Sequence, residues 1–196
     1  MEMLVRKLIK ERVSELSISE EVSPFFEIIS YLPQYLGNLG FKYLNPKCYP
    51  GDEWFCGEGL SSISIPFTLY DPQLIRLEKK FVGSCEGSTK RQFTKLLFHE
   101  VGHAFDHSYQ LSELSCWRNV FGSPSTKYDP DNYKIKPYSK SFARNLPDHY
   151  GQSHPTEDFA ETFATIAFHG DNWRCHYPEE SVVTSKLQYV EMLIKR

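Results

Sequence analysis

The chain has 196 residues, 40% hydrophobic and 24% charged, and its 22 basic and 25 acidic residues leave a net charge of −3. Those figures suit one soluble domain, 1–196, with a sizeable core. They exclude a broad electrostatic attraction to nucleic acid or to an anionic membrane, and no apolar run is long enough to span a bilayer.

The first residues, "MEMLVRKLIKERVSEL", predict an amphipathic helix with Leu4, Leu8 and Val13 on its buried side. Arg6, Lys7, Lys10 and Glu11 stand where a signal peptide needs an unbroken apolar stretch. A cytoplasmic protein is therefore expected, with signal-independent secretion as the other route. The five cysteines, Cys48, Cys56, Cys85, Cys116 and Cys175, form no CxxC pair. An odd number without paired spacing predicts free thiols and no cysteine zinc site, a Cys48–Cys56 disulfide being the alternative.

From Glu20 to Phe41 the apolar pairs and aromatics predict a helix ending near Pro33, then a turn over Gly37 to Gly40. Prolines and glycines from Lys42 to Gly59 predict loop. In "SSISIPFTLY", Ile63, Ile65 and Phe67 alternate with Ser62, Ser64 and Pro66, the pattern of a strand with one buried face. Pro66 cannot donate to a ladder, which predicts a sheet edge. Such an edge either accepts an extended peptide or is simply blunted against aggregation.

Ser88 is the expected cap of a long helix running from Thr89 past His107, with an apolar stripe of Phe93, Leu97, Val101, Ala104 and Phe105. The stretch from Ser112 to Ser153, rich in Pro, Tyr, Asn and Ser, is long for a connection, and such segments are usually functional or self-packed. Pro155 opens a second helix, "HPTEDFAETFATIAFH", and "EESVVTSKLQYVEMLIKR" predicts a C-terminal one.

Chemistry concentrates in "HEVGH". Residues four apart share a helix face, so His99 and His103 can turn two imidazoles toward one ion. Glu100 is rotated about 100° from His99, poorly placed to ligate but near enough to reach a water at the metal. His107 lies eight residues beyond His99, about 12 Å along the axis, too far to complete one site. The longer pattern HExxHxxGxxH fails, because Asp106 and Tyr109 stand where it needs glycine and histidine. On the second helix Glu157 and Glu161 share a face, so one can ligate while the other supports a ligating histidine. Asp158 with Glu161 offers the same division of roles, and acids at a helix start also suit its dipole.

"HEVGHAFDH" followed by "HYGQSHPTEDFAETFA" resembles the gluzincin metallopeptidases, especially the group containing anthrax lethal factor and the Pro-Pro endopeptidases. The resemblance covers about 25 residues in two blocks. It implies an α+β, zincin-like domain, with a small sheet and exposed edge strand beside the HExxH helix and the third-ligand helix. It implies Zn2+ held by His99, His103 and Glu157, with Glu161 behind them, and Tyr150 placed seven residues before Glu157.

Three protein ligands leave a position for water, as in catalytic zinc sites. Glu100 would then act as general base and Tyr150 as a donor to the developing oxyanion, with His149 the alternative donor. The expected protein is a monomeric zinc metallopeptidase acting on a peptide or protein, with no nucleic-acid or membrane partner. Two alternatives stand beside it: a Cys–His protease, which no local signature supports, and an inactive pseudo-peptidase that binds a protein partner. The presence of Glu100 argues against the second.

Overall fold

The structure is a computed structural model that describes residues 18, 21, 23–41, 43–57, 62–129 and 132–195. The helix expected over the first 16 residues lies outside them. Helix α1 (Phe26–Asn38) buries Ile29, Leu32 and Leu36. It does not end near Pro33, which sits inside it. A proline there removes one internal hydrogen bond and crowds the preceding turn. Leu32 and Leu36, both buried on either side of it, carry the helix through by packing. The chain reverses one turn later, where Gly40 takes φ +100° and Phe41 N–H returns to the Leu36 carbonyl at 3.0 Å.

Three short strands follow: β1 (Lys47–Gly51), β2 (Phe55–Cys56) and β3 (Ser62–Pro66). Two of them fall where loop was expected. Their order is β1-β3-β2, with β3 parallel to β1 and antiparallel to β2. The expected edge strand is thus the central one. Pro66 is its last residue, so the missing donor interrupts the ladder only at its end. Ser64 is buried as well as Ile63 and Ile65, and its hydroxyl is satisfied by the Glu53 carbonyl at 2.7 Å. Gly51 makes that possible, since a Cβ there would stand 2.1 Å from Ser64 Oγ.

A 3-10 turn (Phe67–Tyr70) leads into α2 (Pro72–Val82), an element the sequence reading did not anticipate. Asp71 caps it by accepting from Gln73 N–H, and Gly83 at φ +92° ends it. Helix α3 (Lys90–Tyr109) is capped by Thr89, one residue beyond the expected Ser88. The anticipated stripe from Phe93 to Phe105 is buried. Within the expected long connection, Ser115–Phe121 forms α4, which buries Trp117 and Phe121. Then come α5 (Pro155–His169), α6 (Trp173–His176) and α7 (Val182–Ile194), the last opened by a reciprocal Ser181–Thr184 cap. The architecture is α+β, with a three-stranded sheet. No described helix is long and apolar enough to cross a membrane.

Helices α3 and α5 form the centre of the core. Phe105 of α3 packs between Phe159 and Phe163 of α5, at ring distances of 6.1 and 5.6 Å. Where they cross, a Cβ on Gly102 would stand 2.8 Å from Ala160 Cα and 3.2 Å from its carbonyl oxygen. Those are backbone atoms, which no rotamer change can move aside. Gly102→Ala should therefore push the helices apart, at an overpacking cost of about 1–3 kcal/mol, against about 1 kcal/mol gained in helix propensity. A lower melting temperature is the expected result; one at or above wild type would show that the helices separate freely.

Candidate metal centre

The close crossing of α3 and α5 brings their polar residues face to face in the buried interior. His99 Nε2 lies 3.0 Å from Glu157 Oε2, His103 Nε2 lies 3.1 Å from the same oxygen, and the two nitrogens are 3.2 Å apart. A tetrahedral zinc with ligands at about 2.0–2.1 Å has ligand-to-ligand edges of about 3.3 Å. The triangle therefore has the right size for one face of such a site. Among the described residues, it is the one group of three or more His, Cys, Asp or Glu that can hold an ion.

Proton accounting gives the same answer. His99 Nδ1 lies 2.8 Å from Glu161 Oε1, and a carboxylate can only accept there, so Nδ1 carries the proton. Neutral His99 then presents an Nε2 lone pair to the Glu157 carboxylate and to His103. Electron pairs converging in a buried space require a cation between them. In the metal-free chain a proton takes the place of that cation. Burial opposes charge on His99, but hydrogen bonds to Glu157 and Glu161 outweigh it and hold the imidazole well above its ordinary range. Burial likewise opposes charge on Glu157, yet His103 and His99 hold its carboxyl far below the usual range.

Glu161 is fixed from the other side. Its Oε2 accepts from Leu146 N–H at 2.8 Å and from Asn145 N–H at 3.0 Å. Asn145 is itself buried and donates to the Lys95 carbonyl at 3.0 Å, which pins it to α3. Nothing in the sequence pointed to Asn145. Gly151 serves this carboxylate too: a Cβ there would press on Glu161 Cβ and Cγ at 3.3 Å. His149, just before it in the chain, is left-handed at φ +61°.

The remaining candidates separate cleanly. Glu100 is buried on α3 outside the triangle; burial raises its carboxyl, while His103 and His99 oppose the rise. Asp158 is turned away from the histidines, with Oδ2 2.5 Å from Lys186 Nζ. Tyr150 lies on a 3-10 turn (Tyr150–Gln152) with its ring 6.0 Å from that of His99. Its hydroxyl meets not a ligand but the hydroxyl of Tyr128, which donates to Glu157 Oε1 at 3.3 Å. The sequence reading missed Tyr128. His107 Nδ1 is 4.0 Å from Cys56 Sγ, so a Cys–His pair does exist. Burial, with the charge of Glu100, pushes the Cys56 thiol up to about 12, which leaves no thiolate nucleophile near neutral pH.

Residues 87–177 match the model of a family described as "Putative zinc-binding metallo-peptidase". The match supports a zinc metallopeptidase. It contains all three corners of the triangle together with Glu100, Tyr150 and Glu161. Zinc is the cofactor that the family description and the His99–His103–Glu157 group jointly support. No curated protein and no solved structure gives a match.

Proposed function

We propose that the chain is a gluzincin-type metalloendopeptidase with a zincin-like fold, resembling the lethal factor and Pro-Pro endopeptidase group. In this reading His99, His103 and Glu157 hold the zinc, Glu161 orients His99, and Glu100 and Tyr150 act on the substrate. The observation that carries it is the triangle itself, because Glu161 fixes the tautomer that leaves His99 Nε2 free to ligate.

Held by His99, His103 and Glu157, zinc would supply Lewis acidity toward a scissile carbonyl and would lower the pKa of a water to about 7. Glu100 would take a proton from a water beside the site and return it to the departing amine. Its burial raises the carboxyl toward the range in which it can do both. Tyr150, whose hydroxyl rests on that of Tyr128 when no substrate is bound, turns its proton to the oxygen that gains charge in the transition state. Burial raises this phenol too, which keeps its proton in place at neutral pH. The substrate is a peptide or protein.

Elemental analysis of protein purified without chelator should find close to one zinc per chain, and His103→Ala should lose most of it. Zinc retained at wild-type level in His103→Ala, or zinc-loaded wild-type protein that leaves a peptide library uncut, would overturn the reading.

A further inference from the structure

We propose that Tyr128 is a positioning residue of the metal centre, holding one oxygen of Glu157 so that the other alone faces His99 and His103. The inference rests on zinc occupying the His99–His103–Glu157 triangle.

Tyr128 lies in the irregular stretch between α4 and α5. Its hydroxyl donates to Glu157 Oε1 at 3.3 Å, whereas Oε2 is the oxygen close to both histidines. A phenol has a single proton to give. With that proton on Glu157, the Tyr128 oxygen accepts from Tyr150, whose hydroxyl is 2.5 Å away. The two tyrosines thus form a directed chain ending on the carboxylate. A free carboxylate has two equivalent oxygens and can rotate to offer either or both to an ion. A donor on Oε1 removes that equivalence and fixes the plane of the group. Glu161 does the corresponding service for His99 from the opposite side. Partners of this kind orient ligands and raise metal affinity.

His154 places Tyr128. Its ring stands edge-on to the Tyr128 ring at 5.3 Å. Its Nε2 is 2.9 Å from the Thr126 carbonyl, which only accepts, so Nε2 carries the proton. Nδ1 is then the acceptor and takes the N–H of Thr156 in the first turn of α5. One buried imidazole therefore ties the backbone beside Tyr128 to the start of the helix that carries Glu157. Tyr128 reaches the ligand across a short, doubly anchored path.

Tyr128→Phe keeps the ring against His154 and removes only the hydroxyl. The test is the zinc dissociation constant, read by competition with a chromophoric chelator, with the melting temperature of the metal-free protein alongside. We expect the constant to rise about 10–100-fold and the metal-free melting temperature to stay at wild type. Tyr133→Phe is the control: Tyr133 lies on the same stretch and donates to the Asp148 carbonyl at 3.1 Å without reaching the triangle. It should leave the zinc constant unchanged. A Tyr128→Phe constant within about twofold of wild type overturns the proposal, since outer ligand partners typically carry at least tenfold. So does an equal weakening in Tyr133→Phe, because the integrity of the whole stretch would then be the cause. A wild-type chain that binds no zinc would sink the metal-centre reading itself; zinc-binding wild type with an unaffected Tyr128→Phe sinks only the role of Tyr128.

Discussion

Glu100→Gln should lower peptide cleavage by about 100-fold or more while zinc content stays at the wild-type value. The two readouts part because Glu100 stands outside the three-atom triangle of His99, His103 and Glu157. Glutamine matches glutamate in size, so the fit of this buried side chain is kept. What is lost is the ability to take a proton. The side chain sits one residue after His99, rotated off the ligand face yet within the electrostatic reach of His99, His103 and Glu157. Unchanged turnover would exclude Glu100 as the base. Loss of zinc would instead place it among the ligands.

The helices that carry the site were legible because their signals are local. The apolar stripe of α3, the HExxH spacing and Pro155 at the start of α5 all lie within a few turns of chain. Helix α2 was equally local, with Asp71 capping and Pro72 in the first position, but its neighbouring strand pattern drew the reading past it. Strands β1 and β2 were not legible. They hold five and two residues with no alternation, and their pairing with β3 is decided by the fold rather than by their own sequence. The same limit applies around the metal centre. Asn145 and Tyr128 come from an irregular stretch whose path depends on contacts with α3 and α5, and no spacing rule reaches that far. Gly102 was visible as a glycine inside a helix, but its reason, the backbone of Ala160 at the crossing, belongs to another element. Spacing alone left Glu157 and Asp158 both open, and the resemblance chose Glu157; in the fold Asp158 meets Lys186 on α7.

Asp158→Ala should destabilise the fold by about 3–5 kcal/mol, the usual cost of stripping the partner from a buried charge. In a chain of this size each kcal/mol is worth about 2–4 °C, so the melting temperature should fall by about 6–20 °C. The charge left behind is Lys186, whose side chain is 7% exposed. It would keep its donation to the Ser141 carbonyl at 2.8 Å and its place over the Phe142 ring at 4.6 Å, and neither neutralises it. The pair is a costly one even when intact. Burial pushes the Asp158 carboxyl up to about 7 although Lys186 sits beside it, so desolvation outweighs the attraction. Among the described residues Asp158 Oδ1 has no hydrogen-bond partner, which adds to that cost. Replacing both members by apolar residues, Asp158→Leu with Lys186→Met, should therefore recover most or all of the lost stability, as buried pairs exchanged for hydrophobic packing often do. The double variant also tests the ligand set without the complication of unfolding. With Asp158 absent and the triangle untouched, it should hold zinc as wild type does. Loss of zinc from a stably folded double variant would return Asp158 to the metal, and a single Asp158→Ala within about 1 kcal/mol of wild type would show that Lys186 reaches water once its partner is gone.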